Sequence, residues 1–424
     1  VNVRGATQKL RHEGPAGLAR RIVRRAHDRL GAGALDFPLL PGDIADSGSL
    51  PAVTAGKRSR SDGPLTIGWL STPPSAGSGG HTTMFRMIRA LEDAGHTCVL
   101  FLYDRHHGDL TRHAEVVAHS WPWVGAEVRD ASSGWEGVDA VVATSWPTAH
   151  VLARRGTGLH RLYFVQDYEP FFFPRGSEHE LAADTYRFGF TNIALGTMVH
   201  DRLRHELGVS SHVVPFSCDT NVYSLEHRGA RSGVVFYAKP DVPRRGYLLG
   251  MLALEEFHRR HPEHPIHVYG EAMPEVSFPV IRHGRLTPDE LNLLYNQTVA
   301  GLAMSFTNIS LVAEEMLASG TIPVVPDLHD ARADLPNDEV AWSPPTPAGL
   351  ARALCRAVED PDVPGRAVRA AASVRTDNWQ EAGRAVVRII EDTALTAGPP
   401  QVSWEASGPS SPAPPVATPA PAAP

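Results

Sequence analysis

The residues best suited to chemistry lie in three short runs. In FYAKPDVPRRGY, Lys239 ends an apolar stretch, and Arg244 and Arg245 follow five and six residues later, directly before Gly246. In SFTNISLVAEEMLASGTIPVVPD, Ser305 to Asp327, a polar loop with Thr307, Asn308 and Ser310 feeds a helix that carries Leu311 and Glu315 and closes at Gly320. In VQDYEPFFFP, Val165 to Pro174, the carboxylates Asp167 and Glu169 sit among Tyr168, Phe171, Phe172 and Phe173. A loop entering a helix offers unpaired N–H groups and the positive end of the helix dipole, which suits an anion. A carboxylate one turn further on, such as Glu315, can accept hydrogen bonds from the vicinal hydroxyls of a ribose. Clustered cations stabilise the charge on a departing diphosphate without a metal. Together the three runs suit a sugar nucleotide.

The elements that must hold these residues are legible from period and punctuation. LTIGWLS, from Leu65, reads as a strand, SAGSGGHTTMFRMIRALEDAGH as a glycine turn running into an amphipathic helix, and CVLFLYD as the next strand. This is the opening of a Rossmann-like sheet. Gly77, Gly79 and Gly80 do not form G-x-G-x-x-G, which disfavours a dinucleotide. Gly79 and Gly80 instead let the backbone approach a donor sugar or diphosphate. His81, next to them at the ligand-binding edge of such a sheet, is a candidate for hydrogen bonding to the sugar or the acceptor. Further strands are expected at VDAVVAT and RLYFVQD, and NIALGT leads into a helix that Thr197 can cap. A second α/β unit starts at Gly233 with VVFYAK and continues through a helix over 247–261, the strand IHVYG, a helix over 288–296 and the strand AGLAMS. The fold class is therefore α/β, with two Rossmann-like domains in series.

At 424 residues the chain has material for two cores and more, and 42% apolar with 21% charged residues is ordinary for a globular protein. A net charge of −7 gives no argument for nucleic acid as a partner. Three scattered cysteines, Cys98, Cys218 and Cys355, indicate neither a disulfide framework nor a zinc site and fit a reducing compartment. No run approaches a membrane span, and the basic N-terminus lacks the apolar stretch of a signal peptide, so a cytoplasmic location is expected. Asp360 and Asp362 flank a proline and read as turn residues, not as a metal motif. Up to Leu30, eight Lys and Arg face two acids while Leu18, Ile22, Val23, Ala26 and Leu30 recur at helical spacing. That pattern predicts a basic amphipathic helix over 1–30, which either packs on the protein or docks to an anionic membrane surface. Residues from Asp43 to Gly63 read as a linker.

The run Ser305 to Asp327 resembles the signature of glycosyltransferase family 4, in which two glutamates with seven residues between them precede a small-residue run and a Pro-Val-Val strand. Glu315 matches the second glutamate, and Thr307 stands where the first is usual. Ala318, Ser319, Gly320, Pro323, Val324 and Val325 match the small-residue run and the strand. HVVPFSCDTNVY resembles the family's hinge through Pro215, Asp219, Thr220 and Tyr223, and the helix near 379–394 resembles its crossover helix. Over about residues 65 to 395 the chain is similar to bacterial surface-glycan rhamnosyltransferases of the WsaF type. The resemblance implies a GT-B fold and retaining, metal-independent transfer with no cofactor. Its implied donor is dTDP-L-rhamnose, and its acceptor a growing surface polysaccharide or lipid-linked glycan. It assigns Lys239 and Arg245, or Arg244 in its stead, to the diphosphate, and Glu315 to the ribose. Asp167 is placed near the sugar or the acceptor. Gly79, Gly80, His81, Glu169, Thr307, Asn308, Ser310 and Leu311 complete the expected substrate contacts. A different donor such as a UDP-hexose stays open, as does an inactive sugar-nucleotide or glycan-binding assembly protein, which Thr307 motivates. The expected division is a basic extension and linker over 1–64, an acceptor-side domain over 65–215, a nucleotide-sugar domain over 216–378, the crossover helix over 379–397 and a disordered Pro/Ala-rich tail over 398–424.

Overall fold

The computed structural model describes residues 37–51, 63–216, 218–309, 311–328, 330–374 and 379–395. The basic segment 1–30, Ser310 and the C-terminal tail lie outside them. The first domain runs β1 (Thr66–Ser71), α1 (Gly79–Asp93), β2 (Thr97–Leu102), α2 (Leu110–Ser120), β3 (Glu127–Asp130), β4 (Ala140–Ala143), α3 (Trp146–Arg155), β5 (His160–Val165), α4 (Ser177–Thr185), β6 (Thr191–Leu195), α5 (Thr197–Leu207) and β7 (His212–Val214). Its strands form one parallel sheet of order β3-β2-β1-β4-β5-β6-β7. Helices cover both faces, so the central strands are apolar throughout instead of alternating. Ile67, Trp69, Leu100, Phe164 and Ile193 fill one side, and Leu70, Phe101, Val141, Tyr163 and Val165 the other.

The second domain runs β8 (Val234–Ala238), α6 (Tyr247–Arg260), β9 (Ile266–Gly270), β10 (Ile281–Gly284), α7 (Pro288–Gln297), β11 (Ala300–Leu302), α8 (Leu311–Ala318), β12 (Ile322–Pro326), α9 (Ala331–Asp334), β13 (Ala341–Ser343), α10 (Pro347–Val358) and α11 (Val363–Ala372). Its sheet is again parallel, in the order β10-β9-β8-β11-β12-β13. The last helix, α12 (Trp379–Leu395), returns to the first domain, where Trp379, Ala382, Val386, Ile390 and Ala394 join its core. In each sheet the strand order reverses beside the first strand, between β1 and β4 and between β8 and β11. Crevices at such points, outside the carboxyl ends of the strands, are where open α/β sheets bind ligands.

Two local expectations need correction. Residues 43–51 do not behave as a linker: Leu39 and Ala45 are buried in the first domain, and Asp43 accepts from Arg155 Nε (2.8 Å), Arg155 Nη2 (2.7 Å) and Tyr103 Oη (2.9 Å). Ala45 N donates to His150 Nδ1 (3.0 Å) and Ser47 Oγ to Asp184 Oδ1 (2.6 Å). The segment is polar because its polar groups have partners far away in sequence. Thr197 does not cap α5 either. The N-cap is Gly196, and the amides of Thr197 and Met198 point to the carboxylate of Asp334, from α9 of the other domain. A Cβ on Gly196 (φ 91°) would lie 2.6 Å from that carboxylate, so this approach requires glycine. Among the described residues no helix is long and apolar enough to cross a membrane.

Candidate active site

From the first domain, the loops after β1 and β5 face the second. Gly79 and Gly80 form the exposed first turn of α1. A Cβ would meet nothing at Gly79 and only the Gln166 side chain, its Oε1 at 3.7 Å, at Gly80, so these glycines leave open space rather than relieve a clash. His81 is tied to its own loop, with Nδ1 2.7 Å from Ser78 Oγ and a bond to the Thr72 backbone. Burial pushes its pKa down against that bond, which keeps the ring neutral at physiological pH. Beyond β5, Asp167 is 7% exposed. Glu169 lies behind it, and its Oε2 accepts from Trp146 N (2.7 Å) and its Oε1 from Tyr163 Oη (3.1 Å). Both oxygens are used inside the domain. Contrary to the expected substrate contact, Glu169 therefore does not face the cleft; it braces the strand end that carries Asp167.

From the second domain, the turn after β8 and the loop after β11 interlock. The 3₁₀ turn Pro243–Arg245 ends at Gly246 (φ 60°), where a Cβ would strike the Phe306 ring at 2.7 Å and Met304 at 2.9 Å. Phe306 N donates to Arg244 O at 3.0 Å. The basic turn and the Thr307 loop are thus one unit, and the sequence RRG encodes it through the glycine. Lys239 lies beside it, its Nζ 3.9 Å from Glu271 Oε1 and 5.3 Å from the Tyr237 ring centre.

These two edges meet across the cleft. Thr307 Oγ1 donates to Asp167 Oδ2 at 2.8 Å, Asn308 Nδ2 reaches Gln166 O at 3.4 Å, and the Arg244 guanidinium stacks 4.2 Å from the centre of the Phe172 ring. Asp167 Oδ1, Arg244 Nε and Arg245 Nη1 are buried without a hydrogen-bond partner among the described residues. Two unspent cationic donors beside an unspent carboxylate oxygen are unusual in a packed interior, where polar atoms are satisfied. They are what a bound anion and a polar substrate would satisfy. Burial pushes Asp167 up to about 6 despite the Thr307 hydroxyl and the charges of Arg244 and Arg245. Burial also takes Arg245 down, with Arg244 adding to the effect and Asp167 opposing it. Glu169 is pushed to about 8 by burial, and the Asp167 charge adds to that.

Glu315 lies on the hinge side of the same helix entrance. Burial raises it to about 7, opposed by Arg86 and reinforced by Glu314 and Asp219. Arg86 comes from α1 of the first domain, donates to Asp219 Oδ2 at 2.9 Å and covers the Trp379 ring at 4.9 Å. Nothing in the sequence singles it out, because one arginine within an amphipathic helix looks like any other. Leu311 packs against the first domain's core instead of standing free in the cleft. Thr307 and Asn308 also line a cavity of about 260 Å³, together with Phe171, Phe306, Arg202 and Asp330. The one group of described residues with metal-ligand spacing, His261, Glu263 and His264, lies at the opposite end of α6 from the basic turn.

Residues 232–355, which hold the basic turn, the Thr307 loop and Glu315, match the family described as WsaF, C-terminal domain. The likeness is confined to this second-domain segment. The chain is 32% identical over 254 residues to the O-antigen biosynthesis protein RfbC of Myxococcus xanthus, covering 57% of this chain and 20% of that one, so it spans about a fifth of the length of this curated relative. Among solved structures it is similar to a point mutant of Staphylococcus aureus TarM crystallised with fondaparinux, alpha-GlcNAc-glycerol and UDP, with a TM-score of 0.60 and 8% identity over 78% of this chain and all of that one. WaaG, a glycosyltransferase involved in lipopolysaccharide biosynthesis, superposes with a TM-score of 0.55 and 13% identity over 76% of this chain and 99% of that one. A glycosyltransferase from Rickettsia africae gives 0.57 and 12% over 79% and 100%. At these identities the structures establish the fold, and the fold is GT-B.

Proposed function

We propose that the chain is a glycosyltransferase of surface-glycan assembly that moves a sugar from a nucleoside diphosphate to a glycan or lipid-linked acceptor. The observation that carries this reading is the meeting of Asp167, at the end of β5, with the Arg244–Arg245 turn and Thr307 across the cleft, at the switch point of the second sheet. Arg245, Arg244 and Lys239 take the diphosphate, whose negative charge grows as the glycosidic bond breaks. Glu315 takes the ribose hydroxyls. Asp167 faces the sugar, where an ionised carboxylate stabilises the positive charge developing at the anomeric carbon. With the first domain presenting the acceptor from the side of the leaving group, configuration is retained. The basic turn supplies the counter-charge, so no metal or cofactor is assigned a part. The donor is dTDP-L-rhamnose, supported by the likeness of residues 232–355, which form the nucleotide side of the cleft, to the WsaF C-terminal domain.

Thermal-shift titration with dTDP-rhamnose, UDP-glucose, UDP-N-acetylglucosamine and GDP-mannose tests the donor, and slow hydrolysis of the bound donor tests turnover. Stabilisation by dTDP-rhamnose above the others, with release of dTDP, is expected. Binding without any hydrolysis or transfer would make the chain a binding protein. No stabilisation by any nucleotide sugar would refute the reading.

A further inference from the structure

Thr307 and Asp167 belong to different domains, and their 2.8 Å hydrogen bond exists only while the domains are together. The other contacts around it show how the cleft is held: Asn308 on the Gln166 carbonyl, Arg244 on Phe172, Arg202 paired with Asp330, and the Asp334 carboxylate on the first amides of α5. None of these reaches the Asp167 carboxylate. Closing over that carboxylate strips it of water, which disfavours its charge. The groups facing it are the Arg244 and Arg245 cations and the Thr307 hydroxyl from the second domain, with the Tyr168 amide and Glu169 in its own, where the Tyr186 hydroxyl donates to the Asp167 backbone carbonyl. Among the described residues, only the Thr307 hydroxyl bonds to it directly from across the cleft. It engages Oδ2 and leaves Oδ1 unpartnered.

We propose that Thr307 is a positioning residue that acts through Asp167: domain closure delivers its hydroxyl to Oδ2, offsets part of the desolvation of the carboxylate and leaves Oδ1 aimed at the reacting sugar. The inference rests on the transferase reading for what Oδ1 does, but the closure step stands on the interdomain geometry. The expected glutamate is then not simply missing at Thr307. The carboxylate comes from the opposite wall, and the side chain at 307 holds it.

Closure raises the affinity of Asp167 for a proton, so it is easiest when the group is protonated, and the hydroxyl matters most when it is ionised. Small-angle scattering of the ligand-free chain from pH 5 to 8, with the Thr307→Val, Thr307→Ser and Asp167→Asn variants, reads this without any substrate. Thr307→Val is expected to shift the equilibrium toward the open form about tenfold at pH 8, the equivalent of about one pH unit in a proton equilibrium. The shift should shrink toward pH 5 and be absent in the Asp167→Asn background. Thr307→Ser should behave as the parent. In transfer assays the acid limb of kcat should move up by about one pH unit in Thr307→Val and stay in place in Thr307→Ser. A Thr307→Val chain as closed at pH 8 as the parent overturns the inference, and so does a Ser variant as open as the Val variant. Failure of the parent to turn over any nucleotide sugar sinks the transferase reading alone, because scattering still decides the role of Thr307.

Discussion

Glu169→Gln is expected to make the protein more resistant to alkaline destabilisation. The Glu169 carboxyl is fully enclosed and pushed from 4.5 to about 8, burial being the first cause. The Trp146 amide and the Tyr163 hydroxyl favour its charged form, the Asp167 charge disfavours it, and Arg244 favours it again. The sign comes from proton linkage. A carboxyl whose pKa is raised in the folded state binds more protons there than in the unfolded chain, so stability falls as pH rises from the unfolded value to the folded one. The window therefore runs from 4.5 to about 8. At about 1.4 kcal/mol per pH unit, the loss across it is on the order of 3 to 5 kcal/mol. Glutamine has nearly the same shape, its carbonyl can keep the Trp146 bond, and its amide can donate to the Tyr163 oxygen, so the variant removes the titration with little repacking. Asp167, Glu315 and Asp334 are also raised, to about 6, 7 and 6, and they tilt the parent's profile the same way. The difference between variant and parent isolates Glu169. Urea unfolding at half-unit steps from pH 5 to 9, followed by the fluorescence of the tryptophans, Trp146 among them, gives that difference. It should grow in favour of the variant up to about pH 8 and then level off. A difference that is flat with pH would refute the assignment of Glu169 as a buried neutral acid.

The remaining predictions concern the cleft and the N-terminus. Arg245→Ala is expected to lower turnover by about 100-fold, as loss of one transition-state donor does, with a smaller effect on nucleoside binding; near-normal kcat would transfer the role to Arg244 or remove it. Glu315→Ala should weaken dTDP binding by about 1.5 to 3 kcal/mol in calorimetry, and because Glu315 is raised to about 7, binding by the parent should weaken as pH falls through that value. Equal losses from Glu314→Ala would mean that the wrong face of α8 has been assigned. Deleting residues 1–30 should abolish salt-sensitive binding to phosphatidylserine vesicles while leaving transfer to a short soluble acceptor intact, since each basic residue near such a surface adds about 1 kcal/mol. Vesicle binding that survives the deletion or high salt would refute a membrane role for this segment.

Much of the architecture was legible because it depends on local pattern. Continuous apolar runs such as Val234–Ala238 can only be strands covered on both faces, and the glycine turn before α1 and RRG before α6 mark where loops meet helices at the sheet edge. Short peripheral strands carry no such pattern. In β3, Glu127–Asp130, three of four residues are charged, and its pairing with β2 is set by the neighbouring strand, not by its own composition. The linker reading of 43–51 fails for a related reason: Asp43 looks like a loop residue until Arg155 and Tyr103, more than fifty residues away, are placed around it.

The site divides along the same line. Lys239, Arg244 and Arg245 could be found because their spacing encodes one turn, and Asp167 because a strand precedes it. What those residues do to one another could not, because every decisive contact crosses between domains: Thr307 to Asp167, Arg86 to Asp219 beside Glu315, Asp334 to α5. Sequence distance carries no information about such pairs. The surroundings of Asp167 likewise draw on both domains, with Thr307, Arg244 and Arg245 on one side and the Tyr168 amide on the other. Taken singly, Thr307 is a departure from a pattern and Asp167 an acid at a strand end. Together they form one hydrogen-bonded unit, so a substitution at either position must be interpreted through the other.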